Sequence, residues 1–462
     1  MFKLRNSWIM LSNQNLNLLD FVEKNGKLKF QKFTKFWKKA PQKQEPLHLK
    51  HLLTFDVQWR LIILNKGFVM KDNKQTNKIK INDNAKFYNI SLVITFLGLL
   101  FSIICINYFI DPLDVFHTKN IFNISKTCKN KNQRLSKIPA FKLNKDKVDV
   151  VWIGSSKTGE CTNKAYEDYL VNGNFVNMAI NGGSFLEAYN MAKNVILIHP
   201  EIKRIYFGVD FHEMRVRYTE EPNNIQLITS KNLTRSEILP LLLSYKMLEF
   251  SITTISKNLK FENWKALKTE TAHVAFTKDD EIKLKTPIKI YDEDIEKNFH
   301  HMIYAYDKFY TNYKLDDHKF EQLEELISFA KSKDVEIVIF GTSMHVSERY
   351  VIKNKNLLGS FDTFKRKLVK IQPYYDFAII DKYTTEDIKP NMNYFMDSGH
   401  AYPVLRAKMT SQLIKHNDDF GRYLTQENVE KYIKIDNSNF EKYYNEHKDL
   451  MPKIKEWSKD AI

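Results

Sequence analysis

Near the C-terminus stands NYFMDSGHAYP, in which Asp397 and His400 are three residues apart. One short loop can hold that carboxylate beside that imidazole. The carboxylate then orients a histidine that takes a proton from a hydroxyl nucleophile. Candidate hydroxyls lie about 240 residues earlier in VDVVWIGSSKTGECTN, where an apolar run breaks at Gly154 into Ser155 and Ser156. A strand that ends in small residues and opens a helix is where α/β proteins place their chemistry. Taken alone, Asp-x-x-His also fits an ordinary surface loop.

GSSKTG admits two other chemistries. A phosphate loop needs Gly-x-x-x-x-Gly followed by Lys and Ser or Thr. Gly154 and Gly159 have that spacing, but Glu160 and Cys161 follow, and a carboxylate at the lysine position repels phosphate. Lys157-Thr158-Gly159 matches the third motif of penicillin-binding enzymes, which also need an earlier Ser-x-x-Lys and a Ser-Asp-Asn. Ser328 and Lys331 have the first spacing but come later, inside a polar helical pattern, and Ser-Asp-Asn is absent. The serine nucleophile remains, with Lys157 to Gly159 as the first turn of a helix.

Strand-like and helix-like segments alternate around these residues. Strands are expected at 148–154, 174–180, 204–211, 335–341 and 375–381, and helices at 185–198, 319–334, 361–371 and 402–416. Apolar strands alternating with helices predict a parallel sheet covered on both faces. Residues 212–316 break the rhythm and carry short apolar clusters such as ILPLLLSYKMLEF; they read as a helical insertion, placed as a lid over the sheet edge. Residues 111–147 read as a polar connector, and 417–462 as a charged, solvated helical tail. Gly182 and Gly183 fall just past the second strand, where backbone N–H groups can face a developing oxyanion or simply make a tight turn. Gly208 and Asp210 end the third strand.

In this order the segments resemble the SGNH (GDSL-type) hydrolases, whose four blocks each follow a strand or close the domain. The matching residues are Gly154-Ser155-Ser156, Asn177 with Gly182, Gly208-Val209-Asp210, and Asp397 to His400. The resemblance spans roughly residues 148–211 and 319–416. It implies a three-layer, flavodoxin-like α/β domain at 148–416 and acyl transfer without metal or cofactor. Ser156 is then the nucleophile, His400 the base and Asp397 its orienting partner. The oxyanion falls to the N–H groups of Ser156 and Gly182 and to the position of Asp210. Two residues depart from the family. Ser155 stands where aspartate is usual, and Asp210 replaces an asparagine that donates a hydrogen bond. An ionised carboxylate only accepts, and losing one oxyanion donor costs about 10²–10³ in rate. Membrane-anchored members that act in surface-polymer acylation, the alginate acetylation and DltD-like proteins, often depart in such ways. The GSS form and the Asp111-Pro112 pair after an anchor are similar to that branch.

The anchor is residues 87–110, 24 positions without a charge, enough for a helix to cross a bilayer core. No small-x-small cleavage site follows it. Net charge of the chain is +16, but residues 1–86 hold +12 of it and the remainder only +4; the basic excess is a property of the N-terminal tail, which argues against nucleic acid. Lys71, Lys74, Lys78, Lys80 and Lys86 precede the span, so the N-terminus is expected in the cytoplasm and the domain outside. Residues 1–69 show no sustained periodicity and read as a disordered leader or as sequence upstream of a true start at Met70. Three cysteines make neither a disulfide framework nor a metal cluster. Cys128 and Cys161 can pair in an oxidising compartment, though free thiols are the simpler expectation.

The expected function is a membrane-anchored, extracytoplasmic serine esterase or O-acyltransferase acting on acyl esters, acetyl foremost, of a surface polysaccharide or wall polymer. Asp210 favours an alternative, a non-catalytic protein that binds polymer or a membrane-bound acyltransferase. The insertion favours another, a lipid esterase with an interfacial lid. His345 lines the cleft or serves the core, and His212 stands alone.

Overall fold

The computed structural model describes residues 23–24, 27–28, 78–116, 118, 132–144, 146–160, 164–216, 234–259 and 294–459. The readings of residues 1–69, beyond a two-residue strand pair at Glu23–Lys24 and Lys27–Leu28, lie outside the described residues, as do those of Cys128 and Cys161. The chain divides into units 1–90 and 91–462; the second holds the sheet and the candidate site.

Helix α1 (Lys78–Ile110) begins nine residues before the expected span, because nothing in the polar stretch ahead of it breaks a helix. Its segment Ala85–Ile110 has a mean hydropathy of 2.4, and most of its large apolar side chains are exposed, Phe87, Ile94 and Phe101 among them. It is the one described helix long and apolar enough to cross a membrane by itself. Asp111-Pro112 stops it. Asp111 turns to φ 44°, and its carboxylate accepts the N–H groups of Val115 (2.7 Å) and Phe116 (3.1 Å). Proline has no N–H with which to continue the ladder.

The α/β domain is a six-stranded sheet of β1 (Val150–Ile153), β2 (Phe175–Asn177), β3 (Arg204–Val209), β4 (Glu336–Gly341), β5 (Tyr374–Asp376) and β6 (Arg422–Leu424). Their order is β2-β1-β3-β4-β5-β6, parallel except for the antiparallel edge pair β5–β6. Every residue of β1 is buried, which requires cover on both faces. Trp152 stacks on Tyr206 at 5.2 Å in the middle of this core. β1 lies between its sequence neighbour β2 and the later β3. The chain therefore reverses direction across the sheet at β1, and such a switch point opens a crevice at the strands' C-terminal ends.

The expected second strand ends early. Met178 and Ile180 still donate to the carbonyls of Trp152 (2.8 Å) and Gly154 (3.0 Å), but outside regular pairing. The helix expected at 185–198 is α5 (Phe185–Ile198), started by a capping box between Ser184 and Glu187.

Three boundary expectations need correction. The connector is not featureless: α2 (Gln133–Leu143), capped by Asn132, buries Ile138 and Phe141 in the main core. The insertion, helical as expected, is more than a lid over the sheet edge. Among its described parts, α8 (Ile295–Tyr310) buries Ile295, Phe299, Ile303, Tyr306 and Tyr310, steps of four and three that form one apolar helix face. The tail is likewise no solvated appendage. It supplies β6, α13 (Val429–Glu446) and α14 (Leu450–Trp457), which bury Ile433, Phe440 and Ile454. It also brings Asp436 to Arg349 (2.8 Å) and Lys365 (3.1 Å) in the interior. Helical patterns with more charge than apolar content looked exposed because only one residue in three or four faces inward.

Truncating the fully buried Phe440 to alanine is expected to cost about 3–5 kcal/mol. Urea unfolding measures it, and a solvated appendage would lose less than about 0.5 kcal/mol.

Candidate active site

β1 ends at Gly154, whose φ of 153° disfavours any side chain and whose missing Cβ leaves room for Thr158. Beyond it, α3 (Ser156–Gly159) is one short turn with Ser155 as its N-cap. The hydroxyl of Ser155 accepts the N–H of Lys157 (3.2 Å). Its carbonyl accepts those of Thr158 and Gly159, both at 3.1 Å. Within this turn, Ser155 takes every N–H except that of Ser156.

The loop after β5 is folded as tightly. Phe395 bridges Ala401, and Met396 N–H donates to His400 O at 3.0 Å. Between them Asp397 accepts the backbone N–H groups of Gly399 (2.7 Å) and His400 (2.8 Å) on one oxygen, the local pattern that aspartate favours in turns. Its second oxygen meets His400 Nδ1 at 2.7 Å, and His400 Nε2 meets Ser156 Oγ at 2.8 Å. The three residues singled out across 244 positions thus form one hydrogen-bonded relay at the sheet's C-terminal edge.

Burial opposes charge on His400, but the attraction and hydrogen bond of Asp397, with a smaller push from Glu160, raise its pKa to about 9. Burial also opposes charge on Asp397, yet the attraction and hydrogen bond of His400 and the two backbone N–H groups hold its carboxyl below the usual range. The resting imidazole is therefore protonated at neutral pH.

Asp210 does not serve as an oxyanion donor. Its two carboxylate oxygens accept the hydroxyls of Ser155 and Thr342, joining the ends of β1, β3 and β4. Gly182 sits in an exposed turn at φ 62°, closed by the Gly183 N–H on Ile180 O at 2.9 Å. Arg134 of α2 reaches the Gly182 carbonyl at 3.3 Å. Asn177 braces the neighbouring segments, donating to Gly159 O (2.8 Å) and accepting from Ala179 N–H (3.0 Å). His345 is a core residue. Its ring contacts the Ser347 hydroxyl (2.9 Å) and the Glu386 carbonyl (2.7 Å), and burial pushes its pKa down to about 4. Ser347 in turn touches Ser398 at 2.8 Å, bracing the histidine loop. The His212 ring stacks on Phe309 at 5.4 Å, with Nε2 3.3 Å from Glu213.

Sequence reasoning missed a buried layer beneath the relay. Lys157, next to the candidate nucleophile, points inward to Glu348 of α10 (Val346–Asn354) at 2.9 Å; the two side chains are 2% and 0% exposed. Tyr310 donates to the same carboxylate at 2.7 Å. The Tyr306 hydroxyl lies where any side chain on Gly399 would collide with it. Its pKa is pushed well above the ordinary value by burial, then by the charges of Glu348, Asp397 and Asp210. No sequence signal links positions 191 residues apart. Thr342, directly after β4, was legible by place, since residues at the ends of parallel strands line the crevice.

Beside the relay opens a cleft of about 300 Å³, walled by Glu160, His400 and Met396 and, from α8, by Lys297, His301 and Met302.

No family model matches the chain, and no curated protein matches it significantly.

Two outcomes are expected. Reaction of Ser156 needs a neutral His400, so its rate should rise with pH until about 9, and Asp397→Asn should move that limb back toward the ordinary histidine value of about 6.5. The His400–Asp397 pair contributes its stability fully from the top of the carboxylate range, where Asp397 is ionised, up to about pH 6.5, and loses it as pH climbs through 9; reactivity and stability should therefore move in opposite directions between 6.5 and 9. Rate profiles and thermal melts check the two. Separately, Glu348→Gln strands a buried ammonium and should cost about 3–5 kcal/mol, most of it regained in the double variant Lys157→Met/Glu348→Leu; chemical unfolding reads both.

Proposed function

We propose that the chain is an SGNH-like serine ester hydrolase or O-acyltransferase. One observation carries the reading: Ser156, His400 and Asp397 in relay, at 2.8 and 2.7 Å, on the crevice edge of a mostly parallel sheet. The strand order is the one expected of a flavodoxin-like SGNH domain, which supports the fold assignment.

The chemistry follows from the geometry. Ser156 Oγ attacks the ester carbonyl carbon while its proton passes to His400 Nε2. On the resemblance to the SGNH family, the carbonyl oxygen becomes an oxyanion held by the N–H groups of Ser156 and Gly182. Collapse breaks the ester C–O bond, and the leaving alkoxide takes the proton from His400, leaving acyl-Ser156. Water, or a sugar hydroxyl, then attacks that acyl group with His400 again accepting the proton; collapse breaks the acyl–Oγ bond, and His400 returns the proton to Ser156. Asp397 orients the ring and balances the imidazolium at each stage.

The two departures from the family's blocks are hydrogen-bonded to each other. Ser155 donates to Asp210, so a carboxylate absent from the end of β1 is supplied from the end of β3. The exchange keeps a carboxylate beneath the nucleophile turn and costs one side-chain donor. It weakens the argument that Asp210 marks a non-catalytic protein.

The cleft is lined by the apolar side chains of Met302 and Met396 as well as by polar groups. Glu160, Lys297, Asn298 and His301 offer hydrogen bonds, as a hydroxyl-rich chain requires, and 300 Å³ is at the small end for a ligand site. A short acyl group on a polysaccharide or wall polymer suits it better than a long lipid chain. With α1 crossing the membrane and the lysines before it inside, the domain faces outward to such polymers, alone or beside a membrane-bound acyltransferase.

A fluorophosphonate probe tests the reading. It should label the wild-type chain with loss of fluoride and spare Ser156→Ala, by at least about 10³ in rate. Absence of labelling in both would favour a non-catalytic binding protein.

A further inference from the structure

α6 (Arg235–Leu243) and α7 (Tyr245–Leu259) are bent by 53° at Ser244, whose backbone is extended. They dock on α1 at Asn107. Asn107, fully buried, donates its amide to the Leu242 carbonyl at 2.7 Å and accepts the Ser251 hydroxyl at 2.9 Å. An amide this near the end of an apolar helix needs partners, and the helix pair provides both. Asn107 lies three residues before the end of α1, about 4–5 Å along the axis. The junction is thus level with the outermost turn of α1.

α7 has three distinct faces. At 100° per residue, Met247, Ser251 and Thr254 fall on one side and are buried. Lys246, Glu249, Thr253 and Lys257 fall on a second, polar side. Tyr245, Ile252 and Leu259, seven residues apart, make an apolar stripe on the third, and they are 75%, 55% and 78% exposed. Outside α1, nine large apolar side chains are exposed among the described residues; these three and Leu239 of α6 are four of them. A patch so concentrated marks an interaction surface.

We propose that α6 and α7 form an interfacial membrane element, with the Tyr245–Ile252–Leu259 stripe immersed at the headgroup–acyl boundary of the outer leaflet beside α1. The inference rests on α1 being the membrane span. Lipid is the occupant because the helix pair bearing the stripe is hydrogen-bonded to the last turn of that span, at Asn107. α7 alone, 15 residues long, is too short to cross. An apolar arc flanked by lysines is the composition of a helix lying in the interface.

Single nitroxide labels in the full chain test this, in bilayer nanodiscs of phosphatidylcholine and phosphatidylglycerol with the three native cysteines replaced by serine. Labels at Ile252→Cys and Leu259→Cys should be relaxed more by oxygen than by a water-soluble nickel chelate, with Glu249→Cys showing the reverse. Ile94→Cys, within α1, reports the span separately. If Ile94 contacts lipid while Ile252 and Leu259 contact the nickel chelate, the interfacial element is overturned and the span stands. Labels shielded from both reagents at Ile252 and Leu259 would mean that protein covers the stripe, which also overturns it. An Ile94 label accessible to the chelate overturns both.

Discussion

The carboxylate of Asp210 joins three strand ends. Carbonyls and N–H groups at the C-terminal edge of a parallel sheet run out of ladder partners, so the loops there need other restraints. Asp210 supplies one from the centre: it receives a hydroxyl from Ser155 beyond β1 and another from Thr342 beyond β4. Ser155 in turn caps the turn that presents Ser156. The position of Ser156, the proposed nucleophile, therefore depends on a residue that never needs to touch substrate. His400 then depends on Ser156 for its outer partner and on Asp397 for its inner one.

Below this edge the chain spends charge where apolar residues would pack more simply. Lys157 with Glu348, and Arg349 and Lys365 with Asp436, are buried ion pairs. Such pairs add little net stability, since desolvation offsets most of their attraction. They do penalise misplacement, because a shifted element strands a charge in the interior. Lys157 is fixed from below by Glu348 while its neighbour Ser156 is held from above by His400. The turn is thus restrained on both sides.

Much of the sheet was legible because β1, β3 and β4 are continuous apolar runs, and α5 ends at His199-Pro200 as its sequence requires. The relay was legible because Asp397 and His400 share a loop and Ser156 follows a glycine at a strand end. What escaped notice has a common cause. Lys157, Glu348, Lys365 and Asp436 are charged residues buried by partners far away in sequence, and a charge reads as solvent exposure until its partner is known. The same bias made 417–462 look like an appendage and 212–316 like a lid. Asp210 was noticed, but its role depended on two hydroxyls that only the fold brings together.

The distance between Ser156 and His400 along the chain sets an order of events. Residues 150–209 can pair early, but β5, the histidine loop and the edge strand β6 come from the last quarter of the sequence. Ser156 therefore has no histidine partner until nearly all of the chain is available to fold. Long-range pairing of this kind is slow. A serine left without its histidine is inert in the meantime. On the function proposed, the wiring of the fold acts as a delay, withholding reactivity until the last quarter of the chain has joined the sheet.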